Sequence, residues 1–240
     1  MSVRVWSIVF YPDAVILPFA FAFFAILGYR RLWPAVIAER YRAIGAVSTA
    51  TCGGVAGGCL YGLLGGPFRI SGLPTEVDVQ LGSFGGYWGL LAGTLAWACC
   101  TRQPFLRTAD ALVPGLLIGG TIARIACLLE GCCPGIHLGG EAAWFQPFRL
   151  WPLYDMAALL ITFAAVSALP KRRPQFAFPG ISLFLFLILY GSLRFAIEFV
   201  RQTPSAVGPF TWGQVMAGNQ CLVGILACVA MARKQAHKLG

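Results

Sequence analysis

The chain is short of charge. Of its 240 residues only 11% are Asp, Glu, Lys or Arg, and 9 acids stand against 18 bases. An ordinary soluble domain carries roughly 25% charged residues, so this composition does not supply a conventional water-facing surface. Histidine is scarcer still, at 2 in the chain. No His or CxxC lies at zinc-ligand spacing, and His137 alone does not complete a set with Cys127, Cys132 and Cys133, which argues against a metal site. The bases form no tract with interleaved aromatics, which sets nucleic acid aside, and no cofactor is expected. Repeats and low-complexity tracts are missing, and the Pro-containing hydrophilic pieces 170–174 and 204–209 are short turns, so residues 1–240 are read as a single transmembrane domain. Only Arg4 precedes the first apolar run and no small-residue cleavage site follows it, so no removable signal peptide is expected.

What fills the chain is apolar. At 58% hydrophobic residues, it reads as an all-α integral membrane protein. Its 29 glycines and 18 phenylalanines fit helices that touch one another through small residues and turn bulky ones to lipid. A helix crosses the hydrocarbon in roughly 20 residues, and on that ruler about seven spans emerge. They centre on 17–28, 46–64, 85–100, 113–129, 153–169, 181–199 and 215–231.

Charge then sets the orientation. Arg30, Arg31, Arg40, Arg42, Arg102, Arg107, Lys171, Arg172, Arg173, Arg233, Lys234 and Lys238 all fall between or after spans on one side, whereas the other side receives Arg4, Arg69, Arg149 and Arg201. The positive-inside rule predicts an outside N-terminus and a cytoplasmic C-terminus, with anionic lipid as the electrostatic partner. The loops 65–83 and 136–151 then lie outside, where they can cap or gate a site. Small residues four apart, at Gly54, Gly58 and Gly62, at Gly85, Gly89 and Gly93, and at Gly115, Gly119 and Ala123, predict a tight core of the second, third and fourth spans.

The expensive residues converge on the outer leaflet. Arg124, Cys127 and Glu130 are spaced by three near the outer end of the fourth span; Arg194, Glu198 and Arg201 share a face of the sixth. A charged group at membrane depth costs ~2.5–3.5 kcal/mol even on the mildest scale, which makes it a functional-site candidate by default. A carboxylate that orients arginine forks suits phosphate, because guanidinium donors match phosphate oxygens two at a time. The plainer reading is that these charges tie the bundle together and that Arg201 snorkels to the interface. Tyr154 and Asp155 at the start of the fifth span, and Gln214 at the start of the seventh, read as capping or dipole interactions.

Most cysteines lie inside apolar runs and read as small hydrophobes: Cys52, Cys59, Cys99, Cys100, Cys221 and Cys228. Cys127, Cys132 and Cys133 differ. A guanidinium beside a thiol favours the nucleophilic thiolate, which keeps covalent or redox chemistry open, and in an oxidising compartment Cys132 and Cys133 can equally be disulfide-linked.

Taken in order, Arg124-Ile125 with Cys127, Gly131 and Gly135, then Tyr154-Asp155, then YGSLRFAIEFVRQ (190–202), then Gly213-Gln214, resemble the bacterial prolipoprotein diacylglyceryl transferase family. GSFGGYWGLLAG (82–93) is similar to that family's Ser-x-His-Gly-Gly region, and the likeness runs from the second span to the last. The resemblance implies a seven-helix enzyme of the bacterial inner membrane. Such an enzyme moves the diacylglyceryl group of phosphatidylglycerol to a lipoprotein-precursor cysteine and releases glycerol phosphate. It implies that Arg124 and Arg194 hold the lipid phosphate with support from Glu198 and Arg201. Beside these, Glu130 is the candidate base, Cys127 a further catalytic candidate, and Tyr154, Gln214 and Ser83 candidate substrate-binding residues. The chain departs from the family at several places. The family histidine falls at Phe84; the polar positions of its Gly-Arg-x-Gly-Asn-x-x-Asn-x-Glu pattern read as Cys127, Glu130 and Cys132; and its span-two arginine falls at Cys59. Anion-holding groups stay while acceptor-side groups change, so two rivals accompany the transferase: a membrane thiol redox protein using Cys127, Cys132 and Cys133, and a non-catalytic binder of phospholipid or small anions.

Overall fold

A computed structural model describes residues 3–5, 8–10, 12–63, 83–130, 151–172, 178–201 and 205–239. These stretches are mostly helical, joined by short turns, and carry two short antiparallel ribbons, β1 (Val3–Val5) with β2 (Ile8–Phe10) and β3 (Ser205–Val207) with β4 (Phe210–Thr211). The helices are α1 (Pro12–Leu32), α2 (Arg40–Leu63), α3 (Ser83–Thr101), α4 (Phe105–Glu130), α5 (Trp151–Arg172), α6 (Ile181–Leu185), α7 (Gly191–Ile197) and α8 (Trp212–Leu239). A π-helical turn, Phe186–Tyr190, joins α6 to α7, and a 3-10 turn, Glu198–Val200, ends that span.

Among the described residues six stretches are long and apolar enough to cross a membrane: Val15–Leu32, Arg40–Tyr61, Phe105–Leu129, Trp151–Arg172, Ile181–Val200 and Trp212–Lys234. This is a helical multi-pass membrane protein. The remaining expected span coincides with α3, a helix of 19 residues in which Ser, Thr, Tyr and Trp interrupt the apolar run. The expected outer loops 65–83 and 136–151 lie outside the described residues apart from Ser83 and Trp151, as do Cys132, Cys133, His137 and the side chain of Glu130.

Helix starts follow local rules. Pro12 opens α1, where a missing N–H costs nothing. Before α6 the backbone N–H of Ile181 donates to the Phe178 carbonyl at 3.1 Å across Pro179-Gly180, and Gly180 has φ 98° and ψ −6°. This is a type II turn, with Pro presetting its first central angle and Gly the only residue at ease in its second. At α8 the Gln214 backbone N–H donates to Thr211 Oγ1 at 3.2 Å while the Thr211 N–H donates to Gln214 Oε1 at 2.9 Å. That reciprocal pair is a capping box, read in the sequence as Thr-x-x-Gln.

The chain falls into two compact units, residues 25–112 and residues 1–24 with 113–240, the divisions lying within α1 and α4. In the first, α2 and α3 meet backbone to backbone. A Cβ placed on Gly53 or Gly57 would overlap the carbonyl of Gly89 or Gly85, and one on Gly93 would overlap that of Thr49. The α3 stripe is the expected one, but α2 presents Gly53 and Gly57, whereas Gly54 has only ordinary van der Waals neighbours. Spacing by four fits both rows, and only three-dimensional packing selects the face. Gly119 of the α4 stripe meets Ala20 and Phe24 of α1. A side chain in the α2–α3 seam has nowhere to go. Gly89→Val is expected to lower stability by about 1–3 kcal/mol through overpacking, read as a lower thermal unfolding midpoint in detergent; an unchanged midpoint would refute the seam.

The same unit carries an interfacial belt after α1. Tyr29 and Trp33 stack at 6.0 Å, and the Arg40 guanidinium sits 4.4 Å over the Trp33 ring. Amphipathic rings and arginines gather at such water–lipid boundaries. Cysteines expected as core packing are more open than that: Cys52, Cys99 and Cys100 are exposed, and Cys59, Cys221 and Cys228 are half-buried. A thiol is small and apolar enough for an outward helix face as well as for a core.

Candidate functional site

All the buried charge described in the larger unit gathers at one place. Asp155, the fifth residue of α5, is fully buried. Arg124 of α4 brings its Nε to 2.5 Å from Asp155 Oδ2, and Arg194 of α7 brings its Nε to 3.8 Å from Oδ1. Tyr190 Oη donates to Asp155 Oδ1 at 3.1 Å. On its other side Arg194 Nη1 is paired with Glu198 Oε2, and Arg201 Nη1 lies 3.4 Å from Glu198 Oε1. Side-chain exposure is 3% for Arg194 and 1% for Glu198 but 25% for Arg201, so the arginine chain runs from buried to part-exposed.

Helix periodicity builds this arrangement. Trp151 and Asp155 are four apart on α5, as are Tyr190 and Arg194, and Arg194 and Glu198, so each pair projects from one face. The π-helical turn ends at Tyr190, and one such turn re-aims the residues that follow; these segments recur at functional sites. Gly213 completes the fit. A Cβ there would overlap the Glu198 carboxylate, which therefore lies against the first turn of α8, where the helix dipole favours an anion.

Trp151 is the hub. Its ring is 1% exposed, and the guanidinium carbons of Arg194, Arg201 and Arg124 lie 4.5, 4.8 and 5.5 Å from its centroid. The indole N–H donates to the Ile197 carbonyl at 3.2 Å, which fixes the ring against the end of α7. Arg124 Nη1 also reaches Cys127 Sγ at 3.7 Å.

The sequence-derived candidates therefore divide. Arg124, Arg194, Glu198, Arg201 and Cys127 come together. Tyr154 is 38% exposed, one residue from Asp155 on α5, while Gln214 is buried at the α8 start with its amide oxygen engaged in the cap. Ser83 begins α3 in the other unit, and Glu130 ends α4. Asp155, Trp151 and Tyr190 were not singled out as site residues by sequence reasoning. The available signal was their four-residue spacing ahead of a second charge or aromatic. Guanidiniums gathered in a wall of low dielectric and oriented by carboxylates have the chemistry that suits an anion.

A buried arginine–carboxylate cluster on a helical multi-pass scaffold is the structural class that these elements define. Known proteins narrow the class. The prolipoprotein diacylglyceryl transferase family profile matches residues 2–231, and the chain belongs to that family. It is 29% identical over 213 residues to the phosphatidylglycerol–prolipoprotein diacylglyceryl transferase of Chromohalobacter salexigens, covering 81% of this chain and 75% of that one. Similarity to phosphatidylglycerol–prolipoprotein diacylglyceryl transferase 2 of Clostridium perfringens is 28% over 151 residues, 58% of this chain and 59% of the relative. A Dehalococcoides mccartyi (strain BAV1) transferase is 36% identical over 140 residues, 52% of each chain. The matched stretches thus span from about half to three-quarters of these relatives.

Proposed function

We propose that the chain transfers the diacylglyceryl group of an anionic phospholipid, phosphatidylglycerol, to a thiol acceptor such as the cysteine of a lipoprotein precursor. The observation that carries the reading is the buried cluster of Arg124, Arg194 and Arg201 with Asp155 and Glu198. Residues 1–240 act as one domain in the bacterial cytoplasmic membrane, crossing it about seven times, with the N-terminus outside and the C-terminus inside.

In this scheme Arg124 and Arg194 hold the phosphodiester, and Glu198 and Arg201 support them. The acceptor sulfur attacks the glyceryl carbon next to the phosphate; the S–C bond forms as the C–O bond breaks, and its electron pair leaves on the oxygen of glycerol phosphate. Oriented donors around a departing phosphate act where charge develops, which is where a donor lowers the barrier most. Glu130 takes the thiol proton, Cys127 stands beside Arg124, and Tyr154, Gln214 and Ser83 contact substrate. Full-length protein in phosphatidylglycerol vesicles, given a lipobox peptide, is expected to add one diacylglyceryl group to the peptide cysteine and release glycerol phosphate. Peptide recovered at its original mass would sink the assignment.

A second reading, lipid binding without turnover, is favoured by Phe84. Its ring is buried, at 4% exposure, where the family resemblance puts a histidine. Retention of phosphatidylglycerol through purification with no release of glycerol phosphate is the outcome that selects it.

A further inference from the structure

We infer that Trp151 is a positioning residue for the phosphate, and that it works by holding three cations together without neutralising them. The inference rests on the phospholipid reading above.

Arg124, Arg194 and Arg201 come from two different spans, and like charges brought together in an apolar wall repel. Two means of gathering them are visible. Asp155 and Glu198 attract them, but each carboxylate cancels one positive charge. The indole face attracts cations through its quadrupole and cancels none. With its centroid 4.5–5.5 Å from all three guanidinium carbons, the ring draws them to one place while leaving their formal charge intact. A third carboxylate in its position would bring the described cluster to neutrality and remove its preference for an anion.

The ring is built to hold still. It is almost fully buried, its N–H is bonded to the Ile197 carbonyl, and it shares a helix face with Asp155 one turn along α5. Arg201, the most exposed of the three, gains most from it. A partly exposed guanidinium has many rotamers, and stacking on a fixed ring holds it towards the cluster where a long flexible side chain would otherwise sample solvent.

The test changes the ring's electrons and leaves its shape. Mono-, di- and trifluorotryptophan installed at position 151 alone, in the full chain in vesicles, progressively weaken the negative ring face. The affinity for phosphatidylglycerol and its KM are both expected to worsen stepwise, by about tenfold across the series, with kcat within about twofold. Trp151→Phe, which keeps a ring face, is expected to retain binding that Trp151→Leu loses. A flat KM and a flat dissociation constant across the fluorinated series would overturn the inference, because a purely space-filling role is blind to fluorination. Should the unsubstituted chain bind phosphatidylglycerol but not turn it over, the transferase reading falls and the binding series still decides the role of Trp151. Absence of any phosphatidylglycerol binding by the unsubstituted chain removes both.

Discussion

Arg194→Ala is expected to lower kcat/KM for phosphatidylglycerol by about a hundredfold or more, the scale on which a preorganised donor to a developing oxyanion acts. Arg194 is the hinge of the cluster: it meets Asp155 through Nε and Glu198 through Nη1, and it lies nearest the Trp151 ring. Truncation removes a donor to phosphate and also leaves Glu198, 1% exposed, with only the more distant Arg201 among its ion pairs described here. Arg194→Lys is not expected to restore activity. An ammonium keeps the charge but lacks the planar fork that satisfies two acceptors in fixed directions. Steady-state release of glycerol phosphate reads both variants, and wild-type turnover by Arg194→Ala would refute the assignment of the phosphate to this cluster.

Asp155→Asn is expected to have the largest effect on stability, a loss of about 3–5 kcal/mol, because removing one partner of a buried ion pair strands the other. Asn preserves shape and leaves three guanidiniums facing one carboxylate. The Tyr190 hydroxyl keeps an amide oxygen to donate to, while the amide NH2 turned to Arg124 Nε cannot accept, so the charge and one acceptor are lost together. Thermal unfolding in detergent measures it, and a midpoint within error of wild type would show that Asp155 does not carry the cluster. Pairing Asp155→Asn with Arg124→Gln is expected to recover part of the loss, since contacting residues in one network couple rather than add. Arg124 is the partner to remove, being the closer of the two arginines to Asp155.

Much of this was legible in advance, and the reasons differ from place to place. Apolar run length and the rarity of charge define a helical membrane protein because hydrocarbon thickness is a fixed ruler. Arg124, Arg194, Glu198 and Arg201 stand out because charge at membrane depth is costly and therefore conspicuous. Asp155 was harder to read. An acid at a helix start has an ordinary explanation in capping, and only the approach of Arg124 and Arg194 from other helices overrules it. Trp151 was harder still, since an aromatic residue at a helix end reads as an interfacial anchor until three guanidiniums are seen around it. The choice between the Gly53 and Gly54 rows of α2 failed for a geometric reason: adjacent stripes share a period, and a period carries no direction. In α3, Ser, Thr, Tyr and Trp stand among the apolar residues and glycines and weaken the signal that identifies the other spans.

Those same glycines bear on how the α2–α3 pair is held. Lipid tails are as apolar as leucine, so no water is released to draw two such helices together in a bilayer. At the Gly53–Gly89 crossing there are no rotamers to freeze either, because nothing beyond the backbone takes part. What remains is dispersion and Cα–H···O attraction between main chains, forces of very short range that any widening of the gap forfeits at once. The pair is thus held closed by distance alone and is expected to yield all at once, as a clasp does, when a methyl group is wedged between its halves.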